Sequence, residues 1–411
     1  MQTVLGRSLP PQIVGLNIAV LNRNNRSVTK LLTLLVTCAA FISSSASAAP
    51  ADLPGVVVRH LPATKQAYLG SPSIAVLEDG TYVVSHDIFG KESPRDQTFI
   101  FESRDKGATW KQISEIKGQW WSTLFTHGTN LFLIGTTREN GFLGVRRSGD
   151  GGRTWTEPKD ESSGLLLSDG RYHCAPVPVI AHGGRIWRAM EAVVGDAGWG
   201  KYFQAFMMSA SQNADLLKRD SWTFSNRIAR ETNWLGGSFD GWLEGNAVLL
   251  PDGQMTDILR VACTNYPERA AIIRISADGT KATFDATNDF IEFPGGAKKF
   301  TIRYDETSKR YWSLANAVPN EFQSGQPDRT RNTLALISSS ECRNWRIEKN
   351  LFQNRDTKLH GYQYVDWLFE GDDMISVIRT AHDDDFGGAN NFHNSNYITF
   401  YRVKNFRKLG R

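Results

Sequence analysis

Tyr172 and Arg188 are the first two residues whose types and spacing suggest chemistry. They stand sixteen positions apart, on either side of a predicted turn at Gly183. If the chain pairs about that turn, both side chains face the same way. A guanidinium beside a phenol favours the phenolate, so we expect the pKa of Tyr172 to fall and its phenol to transfer protons. A tyrosine that only caps a strand is the alternative.

Arginines recur at the predicted returning ends of four strand pairs, as Arg138, Arg188, Arg260 and Arg379. One such arginine is ordinarily a solvated edge charge, but several that converge can hold a carboxylate or sulfate through bidentate hydrogen bonds. Aromatic residues nearby offer flat faces for sugar rings. The residues predicted to bind substrate are Trp121, His173, Glu244, Arg260, Tyr362 and Arg379.

His86 is a second candidate for proton transfer, because a histidine titrates near neutral pH. Its alternative is a structural histidine bonded to Asp87. The predicted catalytic set is therefore His86, Tyr172 and Arg188. We assign no metal ligands and expect no required cofactor. The run at 383–385 is compatible with a structural Ca²⁺ ion, but it lacks the alternating ligand spacing of a calcium loop and is better interpreted as a solvated acidic loop.

These candidates must be positioned by short strands, because helical periodicity is nearly absent. Six pairs of strand-like segments flank turn residues, about 50 to 70 positions apart, which is the period of propeller blades. The pairs are Ser73–Leu77 with Thr81–Ser85, Thr123–Thr126 with Leu131–Gly135, Pro176–Ala181 with Ile186–Met190, Asn246–Leu250 with Met255–Val261, Phe300–Tyr304 with Tyr311–Ala315, and Tyr364–Phe369 with Met374–Ile378.

A second repeated marker follows some of these hairpins. Ser103–Trp110 and Ser148–Trp155 both fit S-x-D-x-G-x-T-W, the Asp-box, and Ser339–Trp345 is a degenerate copy. The aspartate of such a turn accepts backbone N–H groups, and the glycine supplies an unusual φ. The sequence thus predicts an all-β fold, a β-propeller of four-stranded antiparallel blades. Six blades are visible, a seventh stays open, and Val56–Arg59 is expected to close the ring.

The topology also predicts where the chemistry lies. In a propeller blade, the start of the first strand and the end of the second strand share the face opposite the hairpin turns. The candidate residues fall at those two levels, whereas His127 and His182 fall in turns on the other face. We therefore expect one ligand-binding mouth on the face away from the Asp-boxes.

The slight excess of positive charge, +4, has a simple origin. Residues 1–48 contain four basic and no acidic residues, a short apolar run and an Ala46-x-Ala48 end, which predicts a signal peptide. The remaining domain, 49–411, is formally neutral, so nucleic acid is not an expected partner. We expect no membrane span, a secreted or periplasmic monomer, and small buried cysteines at Cys174, Cys263 and Cys342 rather than a disulfide scaffold.

From Gly70 to Phe406 the chain resembles the sialidase-like Asp-box propellers. More narrowly, it resembles the propeller polysaccharide lyases that cleave rhamnosyl-glucuronate linkages, the ulvan lyases and L-rhamnose-α-1,4-D-glucuronate lyases. In those lyases a tyrosine and an arginine at sixteen-residue spacing act with histidine, which implies these roles for Tyr172 and Arg188. The resembling segments are Ser85–Asp87, Arg171–Pro176, Gly241–Asn246, Lys299–Arg303 and Gly361–Trp367.

The resemblance implies β-elimination on an acidic oligo- or polysaccharide of ulvan or arabinogalactan type. Arg188 would neutralise the uronate carboxylate, and Tyr172 or His86 would remove the C5 proton while the other protonates the leaving oxygen. An exo-sialidase or other glycoside hydrolase is the first alternative. Its nucleophile would be a tyrosine paired with a glutamate, with Tyr172, Glu191 and Glu244 as the candidates. A non-catalytic glycan-binding propeller is the second.

Overall fold

Segments rich in β-branched and aromatic residues, separated by turn residues, recur along almost the whole chain. These segments form strands. The computed structural model describes residues 50, 52–195, 199–263, 265–323 and 326–410, so the predicted leader lies outside the described residues. The strands are β1 Val56–His60, β2 Ala67–Leu69, β3 Ser73–Val76, β4 Tyr82–Gly90, β5 Gln97–Ser103, β6 Lys111–Lys117, β7 Trp120–His127, β8 Asn130–Thr136, β9 Leu143–Ser148, β10 Leu165–Leu167, β11 Arg171–His173, β12 Ile180–His182, β13 Arg185–Val193, β14 Phe203–Ser211, β15 Trp222–Phe224, β16 Phe239–Leu249, β17 Met255–Cys263, β18 Arg269–Ile275, β19 Ala282–Thr283, β20 Phe290–Glu292, β21 Thr301–Asp305, β22 Arg310–Ala315, β23 Thr333–Ser339, β24 Arg346–Gln353, β25 Gly361–Glu370, β26 Asp373–Ala381 and β27 Tyr397–Val403.

Helical structure is confined to single turns in the described residues. One short α-helix, α1, covers Phe406–Leu409 after the last strand. The 3₁₀ turns are Ala63–Lys65, Arg219–Ser221, Trp234–Gly237, Asn320–Phe322 and Pro327–Arg329. No helix in this part of the chain is long and apolar enough to cross a membrane.

The strands form six antiparallel sheets, which confirms the predicted six-bladed β-propeller. Blade 1 has the order β2/β3-β4-β5-β6, and blade 2 has β7 to β10. Blade 3 contains β11 to β15, blade 4 contains β16 to β20, and blade 5 contains β21 to β24. In blades 1 and 3 the innermost strand is split into two short pieces. The described residues contain no seventh sheet.

The ring closes through the N-terminal strand, as predicted. β1 pairs with β27 and completes blade 6, whose order is β1-β27-β26-β25. Val56 lies opposite Phe400 and His60 lies opposite Tyr397. Blade 6 is therefore built from both ends of the described chain.

The predicted Asp-box turns are present on the outer side of the blades. Asp105 accepts hydrogen bonds from the Thr109 N–H at 2.9 Å and the Ser103 hydroxyl at 2.8 Å. Asp150 makes the same bonds with Thr154 and Ser148. In the degenerate copy, Glu341 accepts the Asn344 N–H at 2.7 Å. Cys342 occupies the glycine position there with a φ of 65°, so the turn geometry survives the loss of both signature residues.

Apolar packing lies between neighbouring blades. One buried cluster joins Trp120 of blade 2 to Met190 and Phe206 of blade 3. Another joins Val58 and Phe400 of blade 6 to β3 and β4 of blade 1. The three cysteines predicted to be small buried residues are buried and free, which confirms that interpretation. Since each interface uses side chains from two blades, the ring stabilises itself only when it is closed.

The closing strand provides a test of this packing. Val58 is 6% exposed within the cluster between blades 6 and 1, whereas Val56 on the same strand is 38% exposed. We predict that Val58→Asp lowers the free energy of unfolding by about 3 kcal/mol or more, because it buries an unpaired carboxylate. Val56→Asp should change it by less than about 0.5 kcal/mol. Urea unfolding measures both, and equal effects would show that β1 does not seal the ring.

Candidate active site

Three innermost strands carry the same irregularity at the end where they enter the blade. The ladder register shifts after Trp120 in β7, after Leu243 in β16 and after Gln363 in β25. At each bulge the next residue has a positive φ: 48° at Trp121, 60° at Glu244 and 53° at Tyr364. A non-glycine residue rarely adopts this conformation, and bulges of this kind re-aim side chains. We call the end of the axis marked by these three residues the mouth.

Glu244 and Tyr364 meet across the ring, from blades 4 and 6. The Tyr364 hydroxyl donates to Glu244 Oε1 at 2.9 Å, and Arg260 Nη1 donates to Glu244 Oε2 at 3.0 Å. Burial opposes ionisation of Glu244, but Arg260, His173 and these hydrogen bonds hold its pKa below the ordinary value. Burial and the Glu244 charge raise the pKa of Tyr364. The pair is therefore a protonated phenol bonded to a carboxylate.

Two further guanidiniums flank that phenol. Arg379 lies 4.7 Å and Arg331 lies 5.9 Å from the centre of the Tyr364 ring. Arg379 donates to the His393 carbonyl at 2.6 Å, and Arg331 donates to the Asp328 carbonyl and the Gln363 side chain. Neither guanidinium forms an ion pair with a carboxylate among the residues that the structure describes. Burial lowers the pKa of Arg379 to about 10.

Aromatic rings and a histidine form another wall of the mouth. The Trp121 ring lies 4.6 Å from His173 and 5.5 Å from Trp199, which is 50% exposed. His173 Nδ1 is 2.8 Å from Glu191 Oε2, and Glu191 Oε1 accepts the Gly245 N–H at 3.1 Å. These contacts link the wall to the backbone next to Glu244. The exposed Trp199 indole offers a flat surface for a sugar ring.

Asp87 lies beneath the mouth at the returning end of β4. Its two carboxyl oxygens accept the Ser71 and Trp121 N–H groups, each at 2.9 Å. Burial raises the pKa of Asp87 to about 7, against the lowering effect of these hydrogen bonds and of Arg379. The carboxyl thus fixes the bulge at Trp121 and retains a proton at mildly acidic pH.

A cavity lies on the axis at the other side of the ring. It has a volume of about 750 Å³ and lies among the turn-side ends of the innermost strands. Its walls include Ile74, Leu124, Val248 and Leu368. Arg303 and Glu306 also line it, but Arg303 donates to the Trp367 carbonyl and Asp366, and Glu306 accepts from Lys309. The mouth, where several buried charged and aromatic side chains converge, is the better candidate.

Five of the six predicted substrate-binding residues come together at the mouth. Glu244 bonds Arg260 directly, and Trp121 contacts His173. Arg379 stacks on Tyr364, which bonds Glu244. These five side chains therefore lie together, as their positions at the strand ends predicted. Their role in binding stays a prediction.

The predicted pairing of Tyr172 with Arg188 is wrong. The Tyr172 hydroxyl donates to Asp169 at 2.5 Å and contacts Arg227 at 3.2 Å. Burial and Asp169 raise its pKa to about 12 instead of lowering it. Arg188 is fully buried and donates to the Ala175 and Ala189 carbonyls. Tyr172 pairs with Ala192 because β11 and β12 are separate strands, so symmetric pairing about Gly183 does not extend to it.

His86 also differs from its predicted environment. It is fully buried and stacks between Phe99 and Phe101, with Nδ1 2.8 Å from the Asp87 carbonyl and Nε2 3.3 Å from Arg59. Burial and Arg59 lower its pKa to about 3, so the expected titration near neutral pH is wrong. The structural alternative, a bond to Asp87, describes His86 better.

Sequence reasoning selected Tyr362 where the mouth contains Tyr364. Tyr362 packs on Phe352 in the interface between blades 5 and 6. The bulge after Gln363 changes which side chains of β25 point to which face of the sheet. Residue propensities do not predict such a bulge. Arg331 and Trp199 were missed as well, since both precede strands in irregular segments. The one available signal was the run of polar and aromatic residues from His360 to Tyr364.

Comparisons with known proteins support the fold. No family model and no curated protein matches the chain. A protein of unknown function from Dyadobacter fermentans DSM 18053 aligns with a TM-score of 0.55 and 14% identity, over 86% of this chain and 98% of that chain. The α-L-arabinanase of Penicillium chrysogenum, complexed with arabinobiose, aligns with a TM-score of 0.53 and 13% identity, over 87% and 99%.

A third match is the sialidase of Trypanosoma rangeli in complex with the inhibitor DANA. It has a TM-score of 0.56 and 14% identity, over 86% of this chain and 57% of that chain. At such identities the similarity shows the fold alone. The sialidase-like part of the predicted resemblance is thus supported at the level of architecture, and none of these three matches is named as a polysaccharide lyase.

Asp87 generates a prediction about pH. A carboxyl whose pKa is raised by folding stabilises the protein at low pH, and that contribution disappears as the pH rises through about 7. The asparagine side chain in the Asp87→Asn variant does not titrate. We therefore predict that, from about pH 4 to about pH 7, the variant's free energy of unfolding rises relative to wild type by up to about 4 kcal/mol.

Urea unfolding of both proteins at the two pH values measures this difference. Asp252→Asn, which changes an exposed carboxyl in a hairpin turn, is the matched control. A difference between wild type and Asp87→Asn that does not change with pH would refute the proposed protonation of Asp87.

Proposed function

We propose that the protein is a glycoside hydrolase that cleaves the linkage of a carboxylate-bearing sugar, with Tyr364 as nucleophile and Glu244 as its base. One observation carries the proposal: Arg331 and Arg379 are buried without an ion-pair partner among the described residues. They lie 5.9 Å and 4.7 Å from the ring centre of the phenol that bonds Glu244. Buried guanidiniums are stable only with a counter-charge. A substrate carboxylate supplies that charge.

Binding would use the two walls of the mouth differently. Arg379 and Arg331, aided by Arg260, would hold the carboxylate by charge-assisted hydrogen bonds. Trp199 and Trp121 would stack against the sugar ring. This arrangement would place the anomeric carbon near Tyr364, because both guanidiniums lie within 5.9 Å of the centre of that ring.

A phenol suits this substrate better than a carboxylate nucleophile. A neutral hydroxyl approaches an anionic sugar without the repulsion that an ionised aspartate or glutamate would meet. As the phenol oxygen bonds to the anomeric carbon, its proton passes to Glu244 and the bond to the leaving oxygen breaks. We assign the proton for the leaving oxygen to Asp87. Water then attacks the anomeric carbon of the glycosyl–tyrosine and gives a proton to the ionised Asp87. Glu244 returns its proton to the departing phenol oxygen, and the sugar is released.

β-Elimination is the second candidate, because arginines on a uronate carboxylate would also stabilise an enolate. Its predicted proton carriers were Tyr172 and His86, whose phenol and imidazole make the structural contacts described above. The mouth instead holds a tyrosine–glutamate pair, which the sialidase-type alternative requires. Hydrolysis is therefore the function that the geometry supports best.

An assay of products separates the two reactions. The substrates are fluorogenic aryl glycosides of sialic acid and of glucuronic acid, together with ulvan and a rhamnose-capped arabinogalactan. We expect release of the fluorophore and a saturated sugar that carries oxygen from labelled water. An unsaturated uronate, seen by its near-ultraviolet absorbance, would establish elimination instead. Binding without any product would indicate a glycan-binding module.

The nucleophile is tested by a matched pair of variants. On the aryl glycoside that is turned over, we predict that Tyr364→Phe lowers kcat/KM by about 1,000-fold or more, because it removes the attacking oxygen. Tyr362→Phe, two residues away in the same strand, should retain activity within about twofold, because its ring packs away from the mouth. Equal losses would point to strand damage, and an active Tyr364→Phe would exclude the proposed nucleophile.

A further test concerns the carboxylate. We predict that Arg379→Met lowers kcat/KM at least about 100-fold on the carboxylated glycoside, by loss of a charge-assisted contact. The neutral methyl ester of the same substrate should be a poor substrate for wild type and lose little more in the variant. A similar loss on both substrates would show that Arg379 does not read the carboxylate.

A further inference from the structure

Two histidines and an aspartate lie together at the edge of blade 6, outside the contacts of the candidate active site. His360 directly precedes β25, and His382 and Asp383 directly follow β26. The two strands pair antiparallel with Gly361 opposite Ala381, which places the histidines side by side. Their rings are 4.9 Å apart at an angle of 86°. One ligand atom from each of the three residues lies within 4.8 Å of the others.

The imidazoles are buried without satisfying their hydrogen-bonding capacity. His360 is 5% exposed and His382 is 1% exposed. Neither ring nitrogen of His360, nor Nδ1 of His382, has a hydrogen-bond partner among the described residues. Buried polar atoms without partners destabilise a fold, and each one in a native structure calls for an explanation such as a bound ion.

Carboxylates surround these nitrogens at distances longer than a good hydrogen bond. Asp383 Oδ2 is 3.4 Å from His360 Nε2, and Asp356 Oδ2 is 3.6 Å from His360 Nδ1. Asp52 Oδ2 is 3.9 Å from His382 Nε2. Two ligands of a tetrahedral ion, each about 2.1 Å from the metal, lie about 3.4 Å apart. The spacing of His360 and Asp383 therefore matches two ligands of one ion.

The neighbouring residues explain why Asp383 is available as a ligand. Asp384 is already used within its loop, where it is bonded to His60 at 2.8 Å, to Asn396 at 2.9 Å and to the Gly388 N–H at 2.8 Å. The acidic run considered above for Ca²⁺ thus has its central carboxylate engaged in the fold. The Asp383 side chain, 70% exposed, points instead towards His360.

We propose that His360, His382 and Asp383 bind a divalent transition-metal ion of the zinc type. Two imidazoles and one carboxylate are donors that zinc accepts, whereas Ca²⁺ and Mg²⁺ select sites made of oxygen. If His360 Nε2 and His382 Nδ1 are the ligand atoms, the opposite nitrogens face Asp356 and Asp52. Carboxylates in that position orient metal-binding histidines.

The ion would stabilise the blade that closes the ring. It would join the entry of β25, the exit of β26 and, through Asp52, the segment that leads into β1. β25 carries Tyr364 and β26 carries Arg379, so the site would hold both strands at the mouth without taking part in the chemistry. This role is independent of the proposed hydrolase activity.

Metal binding is measured on the whole chain after removal of bound ions with a chelator. Titration with Zn²⁺ against a chromophoric chelator should give one ion per chain, and Co²⁺ should give the visible absorption of a tetrahedral site. Zn²⁺ should also raise the thermal unfolding temperature, because it binds only the folded state. Absence of stoichiometric Zn²⁺ binding, or tighter binding of Ca²⁺ than of Zn²⁺, would overturn the proposal.

Variants locate the ion. We expect His360→Gln and His382→Gln each to weaken Zn²⁺ at least about 100-fold, and Asp383→Asn at least about 10-fold. Asp383→Asn changes an exposed side chain, so it tests the site even if the buried histidine variants fail to fold. His182→Gln, at the exposed end of β12, is the control and should bind as wild type does. Unchanged affinity in folded Asp383→Asn would overturn the assignment.

Discussion

The hydrogen-bonded group of Arg260, Glu244 and Tyr364 connects blades 4 and 6 across the axis, and the architecture of the mouth depends on it. Glu244 is almost fully buried, and a carboxylate in that position is tolerated only because a guanidinium and a phenol both bond it. Loss of either partner would leave a buried charge partly unsatisfied, which is more destabilising than loss of the whole group. The three residues therefore act as one unit that fixes blade 6 relative to blade 4.

Two structural devices make that group attainable. Pairing of β1 with β27 completes blade 6, which carries Tyr364, and packs it against blade 1. The bulges then turn Trp121, Glu244 and Tyr364 towards the axis at positive φ. Such backbone conformations are unfavourable by about 1 kcal/mol or more each. Their recurrence in three blades indicates that interblade packing stabilises them at the place where the side chains converge.

How far the sequence could predict this protein follows from the range of the contacts involved. Hairpins and Asp-boxes are local: Asp105 bonds Thr109 only four residues away, so a repeating pattern reveals them and with them the blade count. The site is not local. Tyr364 and Glu244 are 120 residues apart, and the choice of Tyr364 over Tyr362 depends on a bulge. The positions of the strand ends therefore predicted that five of the candidate residues lie together, while the assumption of regular pairing about Gly183 was wrong for Tyr172.

The mouth also contains two buried guanidiniums, those of Arg331 and Arg379, without ion-pair partners among the described residues. Arg331 and Arg379 stack on aromatic rings and donate to carbonyls and an amide, but neither forms an ion pair with a described carboxylate. Arg379 Nε also has no hydrogen-bond partner among the described residues. Repulsion among the arginines adds to burial in lowering the pKa of both. A fold selected for stability alone would not bury two guanidiniums without ion pairs. Two buried charges without ion-pair partners lower the stability of the protein when no ligand is bound. An anion that binds there gains affinity, because it neutralises these charges and because the guanidiniums are already oriented to receive it.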